Sequence, residues 1–145
     1  MSSSLPAQLK VFPRMLGRWK GSMLHLDTSG SVVSRATIEI DAQFVENAWR
    51  QVNTVTPDGG TPAQTLIRAY FDSGAVFRLD TERIVGRGDE VGDSIVVTWA
   101  LRADPALTFA ELISFHGARG RTRTWHHFRD DDLIGITLLQ ETRAG

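Results

Sequence analysis

The chain has 145 residues, with 16 Lys+Arg against 17 Asp+Glu for a formal charge of −1, 41% hydrophobic residues and no cysteine. That length supports one domain with its own core, and the composition excludes disulfides, thiolate nucleophiles and Cys-ligated metal sites. The near-neutral balance points away from nucleic acid, no apolar run approaches the roughly 20 residues that span a bilayer, and MSSSLPAQLK lacks a secretory pattern, so a cytoplasmic protein is expected.

In chain order, Leu5 to Leu16 is the only helix-like piece. Pro6 suits a first turn and Pro13 interrupts it, so residues 1–15 predict a short helical or irregular cap. After it, apolar-rich runs alternate with turn residues. They predict strands at about 18–26, 34–41, 44–56, 63–72, 75–86, 94–102, 107–116, 121–129 and 133–142. Ile95, Val97, Trp99 and Leu101 share one face of their strand, and Ala36, Ile38 and Ile40 share another. Asp27 to Ser31, Pro57 to Gly60, Asp72 to Gly74, Gly86 to Asp89, Gly117 to Gly120 and Arg129 to Asp132 read as turns. No linker or repeat divides the chain, so residues 1–145 form a single domain. Short strands joined by short turns predict an all-β, antiparallel up-and-down barrel of about 8–10 strands.

A family pattern accompanies this. Gly17-Arg18-Trp19 at the start of the first strand resembles the G-x-W of lipocalins and other calycins. Asn47-Ala48-Trp49-Arg50-Gln51-Val52-Asn53, Tyr70-Phe71-Asp72-Ser73-Gly74 and the closing Leu133 to Arg143, with its Glu141-Thr142-Arg143, resemble the cyanobacterial-type lipocalin-like domain family of unknown function. The resemblance implies a calycin-like barrel with a cavity, and Trp19 as the plug of its closed end. It names no ligand. Where haem-binding nitrobindin-like proteins carry further glycines and Tyr-Pro, this chain has Ser22-Met23-Leu24-His25, and no phycobilin-lyase motif stands out.

Glu111 shares a face with Leu107, Phe109, Ile113 and Phe115. A carboxylate there is either paired with an arginine or raised in pKa by desolvation, which would suit a general acid or base. Arg68 and Tyr70 also share a face. In the lumen they would polarise a carbonyl or steady an enolate; the alternative is a rim tyrosine with Arg68 in solvent. Trp49, Trp99 and Trp125 fall on three strands and, with Phe109, either line a pocket for a flat ligand or fill an ordinary core. Gln51 and Asn53 share Trp49's face and would give that wall two amides. His126 or His25 is the histidine expected to face the cavity, whereas Arg119, Arg121 and Arg123 read as a solvated outer stripe or a partner contact. No metal-ligand spacing is present, and no cofactor is expected.

The expectation for function is a barrel that binds a hydrophobic small molecule, as a cofactor-independent cyclase or isomerase of a natural-product intermediate with Glu111, Tyr70 and Arg68 as catalytic groups. A non-catalytic carrier and a haem or tetrapyrrole binder are the alternatives. A homodimer is compatible with exposed strands.

Overall fold

Pro13 sits in the first turn of a single 3-10 element, Phe12–Met15, which leads through Leu16 into the first strand. The structure, a computed structural model, describes residues 5–73 and 76–145. Ten strands follow: β1 (Gly17–Leu26), β2 (Val32–Val45), β3 (Ala48–Pro57), β4 (Ala63–Ser73), β5 (Val76–Asp80), β6 (Ile84–Val91), β7 (Ser94–Leu101), β8 (Asp104–His116), β9 (Gly120–Arg129) and β10 (Asp132–Arg143). Each pairs antiparallel with the next in sequence, and β10 returns to β1, closing an up-and-down barrel. Closure leaves no unpaired edge, the hazard of an open sheet.

The predicted strand 75–86 is two strands, because the chain turns at residues 81–83, where Thr81 N–H donates to Ile84 O at 3.1 Å. The predicted turn Gly86 to Asp89 instead runs inside β6. Its glycines serve packing: a Cβ at Gly86 would collide with the Thr98 backbone and the Trp99 side chain, and one at Gly88 with Phe77 and the Val96 carbonyl. The β7 backbone at Gly86 and the Phe77 ring at Gly88 thus come too close to β6 for any side chain there. The predicted turn at Asp72 to Gly74 lies partly outside the described residues.

Period-two alternation drives burial. Ile38 and Ile40 of β2, Trp49 of β3, Ile95 and Val97 of β7, Ile113 of β8 and Leu139 of β10 all point inward and are buried. One end is plugged by the segment before β1, whose Leu9, Val11, Phe12 and Met15 are buried. The Phe12 ring meets Phe77, Phe71 and Trp49 edge-on at centroid distances of 4.5, 5.1 and 5.4 Å. The Glu90 carboxylate fastens this plug by accepting the backbone N–H groups of Lys10, Val11 and Phe12 at 2.7, 2.5 and 2.6 Å.

Trp19 stands at the same closed end, 1% exposed, its indole N–H donating to Met15 O at 3.1 Å. The Arg143 guanidinium lies 4.4 Å from a Trp19 ring centroid and donates to the carbonyls of Leu16, Arg14 and Ala118. The last strand is thereby tied to the plug.

Candidate functional site

Inside the barrel lies a cavity of about 300 Å3. Phe12 and Met15 of the plug line it, and Val97, Trp99 and Leu101 of β7 contribute one apolar wall. The Trp99 and Phe109 rings stack at 5.1 Å with 14° between their planes, and Trp125 meets Trp99 edge-on at 5.4 Å. Three aromatic residues on adjacent strands β7, β8 and β9 thus share this wall.

Gln51 and Asn53 of β3, Thr65 of β4, Glu111 of β8 and Arg123 of β9 interrupt the apolar lining. On β3, Trp49 Nε1–H donates to Gln51 Oε1 at 3.1 Å, and Gln51 Nε2–H donates to Asn53 Oδ1 at 2.8 Å. On β8, Glu111 is only 7% exposed and faces the cavity. Its Oε2 accepts Arg123 Nε–H at 2.8 Å and Trp125 Nε1–H at 2.6 Å. Of the two readings of Glu111, the arginine-paired one describes the structure.

Arg123 connects this carboxylate to a second. Its Nη1 lies 3.2 Å from Glu141 Oε2, and Arg121 Nε lies 2.6 Å from Glu141 Oε1. Arg121 and Arg123 are 0% and 4% exposed, which corrects the outer-stripe expectation; only Arg119 of that trio is exposed. The physical reason is charge matching. Two inward carboxylates, Glu111 and Glu141, require inward cations on the strand between them. Burial opposes the charge on Arg123, but Glu111 and Glu141 outweigh it and hold its pKa above the ordinary guanidinium value. Burial dominates at Arg121, against Glu141, and pushes its pKa down to about 10. Burial likewise raises Glu141, but Arg123 and Arg121 overcome it and the net shift is downward. Arg121 Nη1 and Nη2 have no hydrogen-bond partner among the described residues; the guanidinium instead lies 4.1 Å from a Trp19 ring centroid.

Tyr70 and Arg68 are also corrected. The inward positions of β4 are Thr65, Ile67 and Ala69, which line the cavity, so the pair projects from the outer face, with Arg68 exposed. Tyr70 there packs against the Arg78 guanidinium at 5.0 Å. His126 is exposed, and its neighbour His127 faces inward instead. Toward the end of the barrel away from the plug, His127 Nε2 and His25 Nδ1 meet the Thr137 hydroxyl at 2.8 and 3.3 Å, with the rings 5.0 Å apart. Partial burial, then the nearby His25 and His126, push the His127 pKa down to about 4. None of the four histidines lines the cavity, so the residues present do not fit a haem or tetrapyrrole held by an axial imidazole.

The residues that sequence reading missed as site components are Arg123, His127, Thr137 and Glu90. The odd-numbered face of β9, which carries Arg121, Arg123, Trp125 and His127 together, was the available signal.

Comparison with solved structures places this geometry among known barrels. An S-type phycobiliprotein lyase, CPES, from Guillardia theta superposes with a TM-score of 0.71 at 15% identity, over 92% of this chain and 90% of that one. The fold is a lipocalin-like, calycin-type barrel. A protein of unknown function from the DUF3598 family of Nostoc punctiforme gives a TM-score of 0.72 at 16% identity over 97% of this chain, which spans about half (52%) of that longer protein. Rv2717c from M. tuberculosis gives 0.71 at 12% identity, over 98% of this chain and 100% of that one. No family description and no curated protein matches the sequence. At such identities these calycin-type neighbours bear on the fold and leave the cavity's occupant to be argued from its own residues. Among the described residues no helix is long and apolar enough to cross a membrane.

Proposed function

We propose that this calycin-type barrel binds an apolar small molecule in its central cavity. The observation that carries the reading is the cavity of about 300 Å3, walled by Trp49, Trp99 and Trp125 and closed at one end by the Phe12–Met15 plug. A space of that size with an aromatic wall and a few fixed polar groups has the composition of a small-molecule site. The likeness of the fold to a phycobiliprotein lyase is in keeping with a barrel that holds a small molecule.

A second reading, turnover of the bound molecule by cyclisation or isomerisation, is favoured by Glu111. Its Oε1 accepts no hydrogen bond from the described residues, and the residue stands on the cavity wall. Tyr70 and Arg68, on the outer face, take no part in this version.

Titration with trans-stilbene, followed by quenching of tryptophan emission, tests the binding reading. Saturable quenching in the wild-type protein, lost in Thr65→Trp, supports it, because Thr65 lines the cavity. Equal quenching in both proteins overturns it.

A further inference from the structure

The polar groups of the cavity have a direction. An indole N–H only donates, so Trp49 fixes Gln51 with its oxygen toward the indole and its nitrogen toward Asn53. Gln51 Nε2–H then fixes Asn53 with Oδ1 as acceptor, at 2.8 Å. The chain therefore ends on the Asn53 amide nitrogen, whose N–H groups have no protein partner among the described residues. Across the barrel, Glu111 spends Oε2 on Arg123 and Trp125 and leaves Oε1 without a donor among the described residues.

These two free groups stand on opposite sides of the cavity. From β8 to β3 there are five steps through β7, β6, β5 and β4, and five through β9, β10, β1 and β2. Asn53 and Glu111 thus stand on diametrically opposite strands, and both line the same cavity. The stacked Trp99 and Phe109 stand on Glu111's side of the cavity, on β7 and β8.

We propose that the cavity selects a flat, largely apolar molecule with a hydrogen-bond acceptor at one end, taken by the Asn53 amide N–H, and a hydroxyl or N–H donor at the other, taken by Glu111 Oε1. This rests on the reading that the cavity binds an apolar small molecule. An all-apolar occupant displaces water from both groups and returns nothing to them. A molecule carrying both functions satisfies each, and every missing partner weakens binding on the order of tenfold. Aromatic and conjugated skeletons fit the stacked rings better than a bulky saturated one.

Four probes separate the contributions: 4-hydroxychalcone carries both functions, 4-methoxychalcone only the acceptor, 4-hydroxystilbene only the donor, and trans-stilbene neither. Equilibrium dialysis against the full chain gives the four dissociation constants. The expected order places 4-hydroxychalcone about tenfold tighter than either single-function probe, with trans-stilbene weakest. Asn53→Asp preserves an acceptor for Gln51 but replaces the free donor by an oxygen. It is expected to weaken both chalcones about tenfold and leave 4-hydroxystilbene within about twofold. If all four probes bind the wild type within about twofold of one another, the selection is overturned while the binding reading stands. If none binds, the binding reading fails and the selection with it.

Discussion

The indole N–H of Trp125 donates to Glu111 Oε2 at 2.6 Å, directly across the β8–β9 ladder. Trp125 thereby joins the apolar wall to the charged network, since the same oxygen accepts Arg123 Nε–H at 2.8 Å. The network balances two cations, Arg121 and Arg123, against two carboxylates, Glu111 and Glu141.

Removing one member leaves a buried charge without its partner. Glu111→Ala is expected to destabilise the fold by about 3–5 kcal/mol, because Arg123 stays buried with only Glu141 beside it. Urea denaturation checks this. The pair replacement Glu111→Leu with Arg123→Met should recover much of the loss, since a matched apolar pair needs no desolvation of charge.

Acid stability has a recognisable window. His127 titrates at about 4 in the folded protein against 6.5 for a free imidazole, so between those values the unfolded chain binds more protons. Stability therefore falls as pH drops from 6.5 toward 4. Denaturation midpoints over that range should decline in the wild type and flatten in His127→Gln. Glu141, depressed by Arg123 and Arg121 despite its burial, adds a separate loss only below the ordinary carboxylate range.

Gly21 stands where β1 meets β10, and a Cβ there would run into the Gln140 carbonyl and the Glu141 backbone. Backbone cannot rotate away as a side chain can. Gly21→Ala is expected to cost on the order of 3 kcal/mol or to prevent closure, as read by chemical denaturation.

The plug depends on Glu90. In Glu90→Ala the N–H groups of Lys10, Val11 and Phe12 lose their acceptors, and their amide exchange should accelerate by roughly tenfold or more relative to strand amides. Unchanged exchange would mean that burial of Phe12 alone holds the segment.

Much of this architecture was legible in residue order. Alternation in 94–102 put Ile95, Val97, Trp99 and Leu101 on one face, and they do face inward. Trp49, Gln51 and Asn53 likewise share a wall. The glycines of β6 misled because a residue without Cβ marks either a turn or a close approach, and only the packing of the β7 backbone and the Phe77 ring decides between them. Arg121 and Arg123 were read outward because charge ordinarily seeks water. Their inward facing depends on Glu111 and Glu141, which lie on the two flanking strands and meet them only when β8, β9 and β10 pair. Tyr70 and Arg68 followed alternation correctly; what sequence could not supply was which face of β4 points in.

With the barrel interior as the binding site, bound trans-stilbene gives nuclear Overhauser contacts to the ring protons of Trp99 and Phe109 and to the methyls of Val97 and Ile67, all of which line the cavity. Contacts confined to Val85, Ala110 and Phe128, which line a groove on the outer face of β6 to β9, would contradict an interior site.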